Sequence, residues 1–344
     1  MVRTYKIGVI RGDGVGPEVI GAALRLLALI NRKVELVEIN AGHAFFRRTG
    51  KLIEDRWLDK VKEVEAIIKG PLTTLPGPGT HRSVNVMLRQ RLKLYANIRP
   101  FEGYRGVSLN DRINLTIVRE NTEGLYAGLE GRFKDYAFTV RVVTREGSLK
   151  IIKHAFRYAL SEGFRRVTAV HKANILKESD GLFREVFREV SVQYPTISTD
   201  EVYVDAAAYY LIKNPLRFGV IVTPNLYGDI LSDLAAGLTG SLGLCGSAQV
   251  GDDIAVFEPV HGSAPDIAGR GIANPAGAII ALTLMLKYLG KQHSDRHLTL
   301  MSSKIKLALR HVIESKKSLT TDIGGSASTE EFLNAVIKVL EENT

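Results

Sequence analysis

Cysteine is almost absent: Cys245 is the only one in 344 residues. An internal disulfide and a multi-cysteine metal centre are therefore excluded, and the scarcity points to a cytoplasmic setting. Cys245 lies in the small, apolar stretch "GSLGLCGSA" and reads as a buried packing residue, not a nucleophile. No low-complexity tract is present, and no apolar run is long enough to cross a bilayer, so no membrane partner is expected. A secretory signal is not recognisable either: "MVRTYKIGVI" is too short and too mixed, and reads as a first strand. A basic block is also missing. The net charge is +9, yet Lys and Arg are scattered among Asp and Glu. The densest basic stretch, Arg82 to Arg99, is broken by apolar residues at helical spacing. Nucleic acid is thus not the expected partner; a solvated face and a few arginines for a small polyanionic substrate account for the excess. What remains is an ordinary globular composition, 45% hydrophobic and 24% charged, long enough for one large domain or two moderate ones.

Short apolar runs alternate with helical patterns, the signature of an α/β fold. Strands are expected at 6–10, 34–39, 66–70, 115–121, 138–144, 166–172 and 219–225. Helices are expected at 17–30, at 148–163 with Ser148 as N-cap and Gly163 at the end, at 181–195 and at 276–290. The run "GVIVTPN" is continuously apolar, as for a strand buried on both faces. No fixed-period repeat occurs. Pro100 and the Gly-rich region 240–251 are candidate crossings between two domains, 1–99 with 246–344 and 100–245.

"GVIRGDGVGPEV" resembles a dinucleotide-binding turn, but Gly12 and Gly14 fill only two of the three glycine positions. The third holds Pro17, which suits a first helical turn and cannot supply close glycine packing. Glu38, near the position of a ribose-binding acid, does not rescue a Rossmann reading. A more informative stretch is "NLYGDILSD" (225–233). In a helix, Asp229 and Asp233 share one face, where like charges repel. Two readings are open: an N-cap and first-turn pair favoured by the helix dipole, or two arms of a cation site. Asp205, at the end of "EVYVD", would make a third carboxylate. Oxygen donors without cysteine clusters or paired histidines favour Mg²⁺ or Mn²⁺ over Zn²⁺. Arg89, Arg99 and Arg119 sit at element ends, either as ion pairs or as forked grips on substrate carboxylates. Tyr126 and Lys172 can move protons if a nearby cation lowers their pKa values, or can be buried hydrogen-bonding groups.

Taken in order, "GDGVGPEV" (12–19), "GPLTT" (70–74), "RSVNVMLRQ" (82–90), "YANIRP" (95–100), "VRENTEGLYAG" (118–128), "HKANILK" (171–177), "VTPNLYGDILSDLAAGL" (222–238), "FEPVHGSAPDIAG" (257–269), "ANPAGAI" (273–279) and "LTTDIGG" (319–325) resemble the β-decarboxylating dehydrogenases of isocitrate, homoisocitrate and 3-isopropylmalate. The resemblance spans nearly the whole chain. It implies a two-domain α/β fold that is not Rossmann, with the active site in the interdomain cleft, and a homodimer. It also implies metal carboxylates from Asp205, Asp229 and Asp233, and substrate carboxylates held by Arg89, Arg99 and Arg119. Tyr126 matches the general acid and Lys172 the residue assisting proton removal, with Asp205 and Lys172 reaching the site from the neighbouring subunit. On the cofactor side the matching positions are Thr73, Thr74, His261, Gly262, Ala264, Asp266, Ile267 and Asn274.

NAD is the expected cofactor, because Asp266 can accept hydrogen bonds from ribose hydroxyls and would repel a 2′-phosphate. NADP-using relatives carry Lys and Tyr at positions 266 and 267. Ser83 and Asn85 match a Ser-x-Asn pair that serves the third carboxylate of isocitrate, whereas Val84, Val86 and Met87 would suit an isopropyl arm. NAD-linked isocitrate oxidation is therefore expected, with homoisocitrate or 3-isopropylmalate as the alternatives. A non-catalytic regulatory subunit is disfavoured by the complete residue set. Ala206 and the "LCGSAQVGD" segment depart from the common family pattern.

Overall fold

The computed structural model describes residues 3–77 and 80–342; Met1 and Val2, which open the stretch read as a first strand, lie outside them. The first part of the chain runs β1 (Thr4–Ile10), α1 (Gly16–Ala28), β2 (Lys33–Glu38), α2 (His43–Thr49), α3 (Trp57–Glu63), β3 (Ala66–Lys69), α4 (Val84–Arg91), β4 (Ala96–Glu102), β5 (Asn114–Glu120), β6 (Gly124–Arg132) and β7 (Ala137–Val142). It continues through α5 (Arg145–Glu162), β8 (Arg166–His171), α6 (Ser179–Ser191), β9 (Ser198–Tyr203), α7 (Val204–Lys213), β10 (Val220–Thr223) and α8 (Asn225–Thr239). The last part is β11 (Gly246–Val250), β12 (Ala255–Pro259), α9 (Ala276–Gln292), α10 (Arg296–Ser315) and α11 (Thr329–Glu342).

Ten strands form one mixed sheet in the order β2-β1-β3-β12-β11-β4-β5-β10-β8-β9. Each wing, β2-β1-β3-β12 and β5-β10-β8-β9, is parallel. Between them β11 and β4 pair antiparallel with their neighbours, so the direction pattern changes at the middle of the sheet. Parallel strands need helices on both faces, which is why β3 and β10 are buried along their whole length. One apolar cluster joins α1, β1, α9, α10 and α11, elements from both ends of the chain. Two others gather α5, α6, β8 and β10, and α7, α8 and β5.

Most expected elements occur within a few residues of their expected limits; the exceptions are local. The helix expected at 148 starts at Arg145, and its cap is Thr144, whose hydroxyl accepts from the Gly147 amide at 2.9 Å. Ser148 is buried inside the first turn and caps nothing. Gly163 ends this helix in the left-handed region, as its lack of a Cβ allows. The strand at 137–142 does not join the large sheet; it pairs with β6 as a separate hairpin. Pro100 lies within β4, where strand pairing continues on both sides of it.

The chain ends are tied together by Asp295. Its carboxylate caps α10 by accepting from the His297 amide at 2.9 Å, takes two hydrogen bonds from Arg32 at 2.9 and 3.1 Å, and accepts from Tyr5 Oη at 3.0 Å. The Arg32 guanidinium, with the Tyr5 hydroxyl and the His297 amide, holds the Asp295 carboxyl far below its usual range against the opposing cost of desolvation. Asp295→Ala is expected to lower unfolding free energy by about 2–3 kcal/mol at neutral pH. Because the folded-state pKa is depressed, this contribution is full above the unfolded value and fades on acidification. Denaturant titrations of wild type and Asp295→Asn should therefore converge between about pH 5 and about pH 2.

Candidate active site

Sheet register places the charged residues. In an antiparallel ladder directly paired residues point to the same face, as do residues two apart on one strand. Asn97 pairs with Arg119 on one side and with Gln249 on the other, and Ser247 pairs with Glu258. Arg99, Arg119, Gln249 and Glu258 therefore lie on one face of the sheet, at its middle. Arg89 joins them from α4.

All three arginines are buried. Arg119 donates from Nε and Nη2 to the side-chain oxygen of Asn225 at 3.0 and 2.8 Å and forms an ion pair with Asp229. Its guanidinium also lies 5.1 Å from the centre of the Tyr126 ring. Arg99 Nη1 stands 3.6 Å from Asp229 and 4.0 Å from Asp233. Arg89 donates from Nε to Gln249 at 2.9 Å. Burial, followed by the repulsion of Arg119, pushes the Arg89 pKa down to about 10, and Arg99 is lowered for the same two reasons.

Helix α8 supplies the acids. It begins at Asn225 with Pro224 as its N-cap, directly after β10, so Asp229 is not its N-cap. Asp229 and Asp233 do share a helix face, and Arg99 faces both carboxylates. Gly228 is required here. A Cβ on it would fall 2.6 Å from the Arg119 side chain, so only glycine lets that arginine lie along the helix. Burial raises the Asp229 pKa, but Arg119, the Tyr126 hydroxyl and Arg99 outweigh it and hold the carboxyl below its usual value. Asp233 is pushed up, by burial and then by Asp229, net of the opposing pull of Arg99.

Tyr126 is carried on β6. The turn before it is shaped by Glu120, whose carboxylate accepts from the amides of Thr122 and Glu123 at 2.7 and 2.9 Å. The Tyr126 hydroxyl donates to Asp229 at 2.6 Å. Its pKa is raised, by burial and then by that hydrogen bond, contrary to the lowering that a cation alone would give. The phenol therefore keeps its proton.

Lys172, just past β8, donates to Asp205 on the first turn of α7 at 2.5 Å. The pair is solvent-accessible, and the ammonium depresses the Asp205 pKa. Among the described residues no three acidic, histidine or cysteine side chains converge as a metal site. Asp229 and Asp233 thus come together within one chain, while Asp205 stands apart with Lys172.

The residues assigned to the cofactor lie on two loops, one after β3 and one between β12 and α9. Gly14 has φ +58, and a Cβ there would come 1.8 Å from the Ser263 carbonyl. The glycine loop therefore docks on the 261–267 loop, with the Val15 amide donating to Ser263 O at 2.9 Å. Glu38 is engaged by Arg11 at 2.7 Å. Thr73 donates to Ser263 Oγ at 2.8 Å, and Thr74 to Ser83 Oγ at 3.0 Å. Ser83 is also the cap of α4, accepting from the Val86 amide at 3.5 Å. Asn85 donates to Leu72 O at 3.5 Å, and its own carbonyl oxygen is buried without a partner. His261 Nε2 is likewise buried and unpartnered, and burial lowers its pKa. Beside His261 and Gly262, Ala264 adopts φ +37, and Asp266 and Ile267 follow in a turn closed by Ile267 N to Ala264 O at 3.2 Å. Asp266 is exposed. Asn274 is fixed by Asp322 at 3.0 Å and by the Ala276 amide at 3.0 Å.

Sequence reasoning missed several polar groups that hold these parts. Asp13 accepts from the amides of His43, Ala44 and Thr73 at 2.8–2.9 Å, clamping α2 to the threonine loop. Asn225 seats Arg119, Asp322 seats Asn274, and Gln249, Glu258 and Lys69 form a buried chain behind Arg89. Asp13, Asn225, Glu258 and Asp322 sat inside quoted motifs, which was the available signal, whereas Lys69 and Gln249 did not; in most cases the partner was distant in sequence.

The family model described as isocitrate/isopropylmalate dehydrogenase matches residues 6–336. A 3-isopropylmalate dehydrogenase of Methanothermobacter thermautotrophicus is 43% identical over 99% of this chain and 100% of its own. An isocitrate/homoisocitrate dehydrogenase of Thermus thermophilus is 42% identical over 98% and 99%. The crystal structure of isocitrate dehydrogenase from Methylococcus capsulatus superposes with a TM-score of 0.92 at 44% identity, covering 98% of this chain and 99% of that one.

Cys245 is buried in the core beside this site, and burial pushes its thiol up to about 12. It is not a nucleophile at neutral pH. A thiol-specific chromogenic reagent at about pH 8 should leave the native protein unlabelled and react once per chain after denaturation.

Proposed function

Because the chain belongs to the isocitrate/isopropylmalate dehydrogenase family, we propose that it catalyses the NAD-linked, divalent-cation-dependent oxidative decarboxylation of a 2-hydroxy di- or tricarboxylic acid, with isocitrate as its substrate. One observation carries this reading: three buried guanidinium groups converge beside Asp229, and the protonated Tyr126 hydroxyl is held at the same carboxylate. That charge pattern suits a substrate with several carboxylates.

The donor set fits a hard cation. Asp229 and Asp233 offer only oxygen, lie one helical turn apart, and the Asp233 side chain is 64% exposed, with only a 4.0 Å contact to Arg99. Asp205 would complete the set from a second copy of the chain, bringing Lys172 with it. Exposed apolar side chains support such a copy: Ile230 on α8, Tyr209 and Ile212 on α7, and the hairpin residues Phe133, Tyr136 and Phe138. When bound, the cation would polarise the substrate's hydroxyl and later its enolate oxygen, and NAD would accept the hydride.

The chain's own residues do the rest. Arg89, Arg99 and Arg119 bind the substrate carboxylates and fix the carbon skeleton. Lys172 of the second copy, oriented by Asp205, assists removal of the hydroxyl proton. Tyr126 holds its proton until CO₂ has left and donates it to the carbon that carried the carboxylate. Asp266, exposed beside Ile267, accepts from the ribose hydroxyls and selects NAD by repelling a 2′-phosphate. Residues 1–99 with 246–344 form the cofactor-side domain, and 100–245 the domain of the metal carboxylates. The single cysteine is in keeping with a cytoplasmic enzyme, and among the described residues no helix is long and apolar enough to cross a membrane.

For the substrate, Ser83 and Asn85 at the start of α4 suit an anionic arm. A second reading, 3-isopropylmalate, is favoured by the Methanothermobacter relative and by the half-buried Val86 and Met87 on the same helix. Purified protein assayed with NAD, Mn²⁺ and isocitrate, homoisocitrate or 3-isopropylmalate is expected to turn over isocitrate fastest, and to lose all turnover on chelation. Equal or faster turnover of 3-isopropylmalate would replace the substrate; metal-independent turnover would remove the cation. Asp266→Lys with Ile267→Tyr is expected to lower kcat/KM for NAD and raise it for NADP, together shifting the ratio by about 100-fold or more. An unchanged ratio removes Asp266 from the ribose contact.

A further inference from the structure

Behind Arg89 lies a chain of buried side chains to which no role in the reaction has been assigned. Lys69 on β3, only 1% exposed, pairs with Glu258 on β12. Gln249 on β11, 2% exposed, donates from Nε2 to the Glu258 carboxylate. Its other end, Oε1, accepts from Arg89 Nε at 2.9 Å and from Asn121 Nδ2 at 2.9 Å. Asn121 is anchored in turn on Leu94 O at 2.9 Å. The orientation of the Gln249 amide is dictated by chemistry. The Glu258 carboxylate only accepts and the Arg89 guanidinium only donates, so the NH₂ must face one and the oxygen the other.

This arrangement has a consequence for Arg89. A guanidinium is planar and rigid, so fixing Nε fixes the plane and direction of the two Nη groups. Among the described residues those Nη atoms make no hydrogen bond to protein, whereas Arg119 spends all three nitrogens on Asn225 and Asp229. Arg99 has its Nη1 drawn to Asp229 and Asp233 at 3.6 and 4.0 Å, whereas the forked end of Arg89 makes no ion pair among the described residues and is free for a ligand; Gln249 is what aims it. The link is electrostatic as well as geometric. A carboxylate accepting from Nε2 polarises the amide and enriches Oε1, which strengthens its hold on Arg89. The neutral amide also keeps Glu258 from capturing the guanidinium in a direct ion pair that would turn the fork away from the cleft.

We propose that Gln249 is a positioning residue for substrate binding: its amide, set by the Lys69–Glu258 pair, orients the free fork of Arg89 toward a substrate carboxylate. This inference rests on the reading of Arg89 as a carboxylate-binding residue.

The test is a double-mutant cycle on the purified enzyme with Mn²⁺ and NAD, using Gln249→Met, Arg89→Lys and the double variant. Met keeps the length and apolar volume of the side chain but neither accepts nor donates a strong hydrogen bond. Gln249→Met is expected to raise KM for the hydroxy acid by about 10- to 100-fold, with KM for NAD within about twofold of wild type. Adding it to Arg89→Lys should raise KM little further, because the fork it aims is already gone. Additive losses in the cycle, or a KM for the acid unchanged by Gln249→Met, would overturn the positioning role. An unchanged KM for Arg89→Lys itself would instead overturn the assignment of Arg89, so the two failures are distinguishable. Should Gln249→Met not yield folded protein by circular dichroism, Gln249→Asn carries the same test. One methylene shorter, it cannot span Glu258 and Arg89 together, and the same rise in KM for the acid is expected.

Discussion

Like-charge repulsion among three buried guanidinium groups is the constraint around which the middle of this molecule is built. Arg89, Arg99 and Arg119 are each removed from water, and Arg119 disfavours the charge of the other two. Buried cations persist only when paired or fully hydrogen-bonded, and the structure answers each in a different way. Arg119 places three of its five N–H donors on Asn225 and Asp229. Arg89 is held through Gln249 to a buried acid. Arg99 is the least satisfied, with Asn97 at 3.4 Å and the two aspartates of α8 at 3.6 and 4.0 Å. The repulsion between Asp229 and Asp233 is relieved by this same excess of positive charge. Acids and arginines that would each be unfavourable alone make a stable polar cluster together, with room left for ligands of both signs.

The sheet makes the cluster possible. Two parallel wings meet at the antiparallel strands β11 and β4, and the pairing there sets residues from four separate parts of the chain on one face. A strand pairing slipped by one residue would send Arg99 or Arg119 to the opposite face, among the helices. Register is secured by the apolar alternates, such as Ile98 and Val118, which pair across β4 and β5 and point away from the charged face. Packing on one side of the sheet therefore fixes chemistry on the other.

Conformational freedom is removed from the site by small residues and backbone contacts. Gly228 lets Arg119 lie against α8, and Gly14 lets the glycine loop seat on Ser263. Asp13 joins three backbone amides, two at the start of α2 and one on the threonine loop. These contacts determine where the reactive side chains stand before any ligand arrives, which is the condition for electrostatic preorganisation.

The sequence by itself determined the α/β class, the positions of the seven strands and four helices it predicted, the absence of a Rossmann turn and the family. Those features depend on local properties: period, caps, glycine and proline, and motif strings in a fixed order. It also identified Arg99, Arg119, Tyr126, Asp229 and Asp233, which the fold brings together. Tertiary structure decided what depends on distant partners. Thr144 and not Ser148 caps α5, and 137–142 pairs with β6 and not with the main sheet. The proton on Tyr126 is held by burial and by Asp229, a residue about a hundred positions away, so no reading of nearby charges could have found it. Gln249 fell in a Gly-rich stretch read as a domain crossing and Glu258 in a motif that gave it no role, until the register of β11 and β12 set them behind Arg89. A hydrogen bond between remote segments leaves no periodic trace in sequence; only the folded chain sets the donor against its acceptor.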